Sequence, residues 1–149
     1  MGEAKEIEVR SSWELIVANY LDMNENVLEW GSEIIKIDYY SNLDNKKHQY
    51  ITDFVFTSRN KDGIIEKWLV EVKPQNQVPK LNENGQIEFP KLFNDKKKKV
   101  SAKKMENWKE ICEVLVKNHE KWQSARAWAK KNGYTFKIIT EEELGLKYK

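Results

Sequence analysis

The chain has 149 residues, with 26 Lys or Arg against 24 Asp or Glu, so its formal net charge is only +2. This length predicts one domain, residues 1–149, with a real hydrophobic core, and the near balance of charge does not by itself indicate a nucleic-acid binder. The single cysteine, Cys112, excludes an internal disulfide and a cysteine-based metal site. No run approaches the ~18 apolar residues of a membrane span, so we expect a soluble, intracellular protein.

The first predicted element is a helix that begins near Ser11. Ser11 and Glu14 have the spacing of a capping box, in which the glutamate side chain accepts the backbone N–H of the capping residue. Apolar residues at helical spacing form one face of this helix, namely Trp13, Val17, Tyr20 and Leu21. We therefore interpret Glu14 first as a capping residue.

A turn at residues 24–26 separates this helix from a half-buried strand. Apolar and charged side chains alternate from residue 35 to residue 39, which is the period-2 pattern of a strand. Glu33 is predicted to begin that strand. Residues 42–46 then turn the chain toward the next strand.

The strongest β pattern lies between residues 50 and 74. Two runs rich in Val, Ile and aromatic residues, 50–56 and 68–74, are separated by a polar stretch that ends in Asp62-Gly63. Because an Asp-Gly step favours a tight reversal, we predict a β-hairpin.

Three charged residues stand out in this hairpin. Asp53 is predicted to lie within the first strand, and Glu71 and Lys73 end the second. Because side chains alternate along a strand, Glu71 and Lys73 share one face. Two carboxylates on neighbouring strands can hold a hard cation such as Mg²⁺ or Mn²⁺, and the lysine can orient or deprotonate a water or offset charge on a phosphate. The alternative is a surface hairpin with an ordinary Glu–Lys pair.

Residues 75–100 form a long polar connection, and loops of this length tend to be functional or disordered. The segment 91–104 holds seven lysines and one aspartate, a local charge of +6. Such a run is either solvated or a tether for the phosphate backbone of DNA. The predicted DNA contacts are Lys96, Lys97, Lys98, Lys99, Lys103 and Lys104.

Apolar spacing predicts two helices and a last strand after this connection. The first helix carries Met105, Trp108, Ile111, Cys112 and Leu115, and the second carries Trp122, Ala125, Trp128 and Ala129. We interpret these side chains as core packing and end the second helix at Gly133. A short strand over residues 136–139 and a capping box of Thr140 with Glu143 follow. The order helix, three strands, helices, strand predicts an α/β domain with a small mixed sheet flanked by helices.

These residues resemble the PD-(D/E)xK nuclease superfamily, with Thr52-Asp53 as the Pro-Asp element and residues 71–73 as the (D/E)xK element. Thr52 stands where relatives usually have proline, which leaves the aspartate intact. Further stretches are similar to TnsA-type transposon endonucleases and, more closely, to the small head completion nucleases of T-even-type tailed phages, namely residues 10–14, 24–33, 48–54 and 133–141.

The resemblance implies a restriction-endonuclease-like core and a Mg²⁺- or Mn²⁺-dependent DNA endonuclease. Asp53 and Glu71 would bind the metal, Lys73 would position or activate water, and Glu14 would support the metal or its water. Glu33 becomes a further candidate acid near the metal. The implied role is late in phage head assembly, in the host cytoplasm or on the virion, at the packaged DNA end before tail joining. Head, portal or neck proteins would be partners.

Two other functions compete with this interpretation. A virion structural or connector-binding protein would keep the nuclease fold without turnover, and it has no physical need for the Asp53, Glu71 and Lys73 set. A transposon end-cutting subunit would want a further domain to dock its transposase.

Overall fold

The computed structural model describes residues 12–92 and 99–145. Within these ranges the chain forms two α-helices, six strands and one short 3-10 turn (Gln75–Gln77). The main elements are α1 (Ser12–Met23), β1 (Val27–Ser32), β2 (Lys36–Ser41), β3 (Lys46–Ile51), β4 (Phe54–Arg59), β5 (Ile65–Val72), α2 (Ala102–Asn132) and β6 (Thr135–Ile139). Neither helix in these ranges has the length and apolar character that a membrane crossing requires.

Four strands form the main sheet, in the order β1-β4-β5-β6. The pairs β1–β4 and β4–β5 are antiparallel, whereas β5 and β6 are parallel. A parallel pair needs a crossover connection, and α2 lies in that connection. The predicted α/β fold with a mixed sheet and flanking helices is confirmed. Strands β2 and β3 form a separate antiparallel hairpin.

The two faces of the main sheet are covered by different elements. Helix α1 packs Val17 and Leu21 against Phe54, Val70 and Val72. The opposite face packs against α2 and the β2–β3 hairpin, in a cluster of Ile37, Tyr39, Tyr50, Leu69, Trp122 and Ala125. Because side chains alternate along β5, Glu71 shares the face of Leu69 and points toward α2 and the hairpin.

The β2–β3 hairpin is fixed to α2 by one carboxylate. Glu120 accepts a hydrogen bond from the Ser41 hydroxyl (2.8 Å) and another from the backbone N–H of Asn42 (2.7 Å). Ser41 is buried, so the first of these bonds satisfies a hydroxyl that water does not reach. The hairpin is thereby held over the face of the sheet that carries Glu71.

The prediction that residues 50–56 form one strand, with Asp53 inside it, is wrong. Strand β3 ends at Ile51 and β4 begins at Phe54, so Thr52 and Asp53 lie where the chain passes from the hairpin to the main sheet. Their backbone groups bond elsewhere: Thr52 N–H donates to the Ile35 carbonyl (3.1 Å), and the Asp53 carbonyl accepts the Glu33 N–H (3.0 Å). A proline at position 52 would lack the first of these bonds.

The predicted count of three strands before the helices is also wrong, because β1 and the separation of β3 from β4 raise it to five. Strand β1 has no fully buried residue and lacks an alternation of buried and exposed side chains, so its sequence pattern does not indicate that it pairs with β4. Glu33 does not begin a strand. It has a left-handed backbone (φ 56°), and β2 begins at Lys36.

The two helices predicted after the connection are one helix of 31 residues. No Gly or Pro interrupts residues 102–132, so nothing in the sequence breaks the helix between the two apolar stretches. Ser101 caps its start by accepting the Lys104 N–H, and Gly133 ends it with φ 77°, as predicted. The buried part of α2 begins at Leu115, and the predicted core residue Ile111 is 48% exposed.

Several local predictions can be checked in the described ranges. The turn of the β4–β5 hairpin contains Gly63 at φ 79°, and Glu143 accepts the Thr140 N–H (2.7 Å), as a capping box requires. Tyr20 is 64% exposed and does not belong to the buried face of α1. Ser11 lies outside the described residues, so the Ser11–Glu14 capping box stays a prediction.

Candidate active site

A pair of buried carboxyl groups lies where the β3–β4 junction meets the end of β5. Asp53 is 6% exposed and Glu71 is 3% exposed. Asp53 Oδ2 accepts the backbone N–H of Val72 (2.8 Å), which fixes the aspartate against β5. The Glu71 and Asp53 side chains also share a hydrogen bond. The structure therefore brings together two acids that are distant in sequence.

The pKa of Glu71 is raised by its surroundings. Burial and then the negative charge of Asp53 raise the pKa of Glu71 to about 8, while the Tyr50 hydrogen bond and the charge of Lys73 act in the opposite direction. Without a cation, Glu71 is therefore mostly protonated at neutral pH. A cation between the two groups would let Glu71 lose that proton.

Tyr50, on strand β3 of the hairpin, contacts the carboxyl pair. It is 5% exposed, and its hydroxyl donates a hydrogen bond to Glu71 Oε2. Burial and the nearby carboxyl groups raise the pKa of Tyr50 well above its usual range, so the hydroxyl remains a donor. The Trp122 indole Nε1 faces this hydroxyl and is buried without a full hydrogen bond in the described chain. The sequence does not mark Tyr50 as part of the site, because an aromatic residue in a strand usually indicates core packing.

Two lysines border the pair. Lys73 follows β5 directly, is half-buried, and is held by a hydrogen bond from its backbone N–H to the Ile139 carbonyl (3.0 Å). Its charge acts on Glu71, as expected for two side chains on one face. Lys121, in the middle of α2, was missed from the sequence. Its Nζ lies 5.7 Å from the centroid of the Tyr50 ring.

A further buried acid fixes the chain just beyond Lys73. Glu141 is 8% exposed, and both of its carboxylate oxygens accept the backbone N–H of Gln75 (3.2 and 3.0 Å). The segment after β5 is therefore anchored to the segment after β6. No pattern in the sequence distinguishes Glu141 from the acids beside it.

Glu14 and Glu33 occupy different surroundings. Glu14 is half-buried in the first turn of α1, on the helical stripe that continues through buried Val17 and Leu21. Glu33 is exposed, and its backbone N–H bonds the Asp53 carbonyl. Across residues 12–92 and 99–145, no group of three or more His, Cys, Asp or Glu is placed to hold a metal ion. The roles of Glu14 and Glu33 at a metal therefore stay predictions.

Three of the six predicted DNA-binding lysines fall within the described residues, and they lie far along α2 from the carboxyl pair. Lys99, Lys103 and Lys104 are exposed, at or just before the start of α2, and Lys96, Lys97 and Lys98 lie outside the described residues. A helix rises 1.5 Å per residue, so Lys104 lies about 25 Å along α2 from Lys121.

The donor set of the pair fits a hard divalent cation. It consists of carboxylate oxygens, which Mg²⁺ and Mn²⁺ prefer to nitrogen or sulfur. Burial and then the charge of Asp53 raise the pKa of Glu71, and a cation held between the two carboxyl groups would offset both effects. A mixed sheet between helices, a carboxyl pair at the end of a strand and a lysine two residues further on together define a PD-(D/E)xK-type nuclease.

Comparison with known proteins agrees with this class. The family described as TnsA-like endonuclease N terminal matches residues 24–141, a range that contains Asp53, Glu71 and Lys73. The head completion nuclease of Enterobacteria phage T4 is 30% identical over 143 residues, which cover 96% of this chain and 84% of that protein. No solved structure matches the chain. The chain belongs to the TnsA-like endonuclease family and is an endonuclease.

Proposed function

We propose that this endonuclease cuts DNA with Mg²⁺ or Mn²⁺ held by Asp53 and Glu71, and that it acts in phage head completion. The observation that carries the proposal is the buried hydrogen-bonded contact between these two acids. A protein that only binds has no use for such a contact, because it opposes folding when no cation is present. The head completion role is supported by the similarity to the T4 protein of that name.

Each side chain of the site has a distinct task in this proposal. The Val72 N–H orients Asp53, and the Tyr50 hydroxyl orients Glu71, so both ligands are positioned before the cation binds. The bound cation would polarise the phosphate and lower the pKa of a bound water. Lys73 lies on the same face as Glu71, where its ammonium can orient the attacking water or offset charge on the phosphate. Glu14 would support the cation or its water from α1, with Glu33 as a further candidate.

The lysine-rich segment would hold the DNA away from the cut. Lys104 lies about 25 Å along α2 from Lys121, so a phosphate contact of Lys104 would fall roughly seven base pairs from the scissile bond. Such contacts give affinity without sequence preference, which suits an enzyme acting on whatever sequence ends a packaged genome.

Plasmid cleavage tests the metal-dependent activity. Wild-type protein should nick or cut supercoiled DNA with Mg²⁺ or Mn²⁺ and stop when EDTA is added. Asp53→Asn and Glu71→Gln should abolish cleavage while the protein stays folded. Glu66→Gln, on the same strand but at its opposite end, is the matched control and should cut like wild type. Wild-type cleavage that survives complete chelation would refute the mechanism.

A phage carrying the Asp53→Asn substitution tests the biological role. If the enzyme trims the packaged DNA end in the host cytoplasm, such a phage should accumulate filled heads that do not join tails. If the protein is instead a structural part of the head, portal or neck, the inactive variant should support tail joining normally. Electron microscopy of the lysate distinguishes these outcomes.

A further inference from the structure

Lys121 is placed rigidly beside the carboxyl pair. Its neighbour Trp122 is 2% exposed and belongs to the core, and Asn118, one turn earlier, is buried and donates a hydrogen bond to the Gln77 carbonyl (2.8 Å). These contacts fix α2 at this point of its length. The Lys121 side chain extends across the face of Tyr50, whose hydroxyl bonds Glu71. The ammonium is therefore carried to the site by the buried part of the helix.

The surroundings of this ammonium differ from those of a surface lysine. Lys121 is half-buried, and within the described chain it makes neither a hydrogen bond nor an ion pair of its own. Burial and then the positive charge of Lys73 lower the pKa of Lys121, while Glu71 and Asp53 act against that change. The charged form of Lys121 is therefore unfavourable in the protein alone, and the cation–π contact with the Tyr50 ring offsets only part of this cost.

The net charge of the site indicates what the Lys121 ammonium can bind. A divalent cation held by Asp53 and Glu71 would balance the charges of the two carboxylates, and the ammonium charges of Lys73 and Lys121 would remain. A phosphodiester is an anion, and its negative charge grows in the transition state of hydrolysis. A second positive group in a partly dehydrated site is therefore most effective against the scissile phosphate.

We propose that Lys121 is a second active-site lysine, which contacts the scissile phosphate of DNA while Lys73 serves the attacking water. This inference rests on the proposed function, because it assumes that the carboxyl pair is the centre of cleavage. Lys117 lies one turn before Lys121 on the same side of α2 and is exposed. The two lysines thus run from the site toward solvent, along a path that a DNA backbone can follow.

Two variants of Lys121 and one control test the inference. Lys121→Ala should slow single-turnover cleavage by about 100-fold, the usual loss when one donor to a developing negative charge is removed. Lys121→Arg should keep most of the rate, because a guanidinium also binds phosphate; a proton-transfer role would not be rescued in this way. Lys130 is exposed and nine residues further along, on the opposite side of α2, so Lys130→Ala should leave the rate unchanged.

DNA binding in EDTA gives a readout that does not depend on cleavage. Loss of one phosphate contact should reduce the magnitude of the logarithmic salt slope by about 0.9 in Lys121→Ala, with no change in Lys130→Ala. Thermal unfolding should show that both variants are folded. If Lys121→Ala is unfolded, Lys121→Gln keeps most of the side-chain stem and replaces it in both assays.

The outcomes separate this inference from the proposed function. If the wild type cleaves DNA, and Lys121→Ala shows full activity and an unchanged salt slope, the proposed role of Lys121 is wrong while the proposed endonuclease function stands. If the wild-type protein never cleaves DNA, the proposed function is wrong. The salt slope would then be the only test of whether Lys121 contacts a DNA phosphate. A slope reduced by Lys121→Ala supports a phosphate contact, and an unchanged slope refutes it.

Discussion

Replacing Glu71 by glutamine should remove activity and stabilise the metal-free protein. Glutamine can accept the Tyr50 hydrogen bond through its carbonyl oxygen and donate to Asp53 through its amide, as the protonated acid does. It therefore imitates at every pH the form of Glu71 that burial favours. The same substitution removes a carboxylate that the cation needs.

The size of the effect follows from the pKa of Glu71, which is about 8 in the folded chain against an ordinary value of 4.5. Because the folded-state pKa is raised, the stabilisation due to the bound proton is complete below pH 4.5 and is lost as pH rises through about 8. The free energy of unfolding should therefore fall by about 3 kcal/mol between pH 4.5 and pH 7 from this group alone. At pH 8, the free energy of unfolding of Glu71→Gln should exceed that of the wild type by about 4 kcal/mol.

Urea unfolding in EDTA at pH 5, 7 and 8 measures this difference. The wild-type and Glu71→Gln curves should nearly coincide at pH 5 and separate as pH rises, because other titrating groups contribute equally to both proteins. Glu66→Gln serves as the control for removal of a carboxyl group and should follow wild type. Parallel pH dependences of wild type and Glu71→Gln would show that burial and the charge of Asp53 do not hold Glu71 protonated, and the electrostatic account of the site would fail.

Further variants test other parts of the structure. Tyr50→Phe removes the donor to Glu71, so Mg²⁺ affinity measured by calorimetry should weaken about fivefold, about 1 kcal/mol, and unchanged affinity would contradict the positioning role. Glu120→Ala leaves polar groups of the β2–β3 hairpin without their acceptor and should lower stability by about 1–3 kcal/mol in urea; a smaller loss would mean that the hairpin is held by packing alone. Glu14→Gln should change stability by less than about 1 kcal/mol yet lose most cleavage if Glu14 supports the metal, and full activity at ordinary Mg²⁺ would remove it from the site. Replacing Lys96–Lys99 by serine should reduce the salt slope of DNA binding by roughly 3–4, whereas an unchanged slope would indicate a solvated run.

The central acids could be predicted from the sequence because local patterns mark them. Asp53 and Glu71 are charges in apolar runs, and the Asp62-Gly63 turn between the runs makes a hairpin the simplest connection. The break between β3 and β4 could not be predicted in the same way. Apolar and β-branched residues continue on both sides of it, and only pairing with different partners separates Ile51 from Phe54.

The rest of the site depends on tertiary packing. Tyr50 and Lys121 lie 71 residues apart in the numbered chain, and they meet only because α2 and the hairpin cover the same face of the sheet. A tyrosine in a strand and a lysine in a polar stretch of helix have ordinary roles in most proteins. Their position against Glu71 gives them another role here, and sequence spacing carries no information about that position.

The measurement that tests the central claim most directly is the binding of Mn²⁺, followed by electron paramagnetic resonance in the same titration as DNA cleavage. Wild-type protein should bind Mn²⁺ at a site from which Mg²⁺ displaces it, and cleavage should rise with occupancy of that site. Asp53→Asn should lose both the bound signal and the cleavage, while Glu66→Gln keeps them. Equal Mn²⁺ binding by wild type and Asp53→Asn, or cleavage that does not follow occupancy, would contradict a metal centre at Asp53 and Glu71.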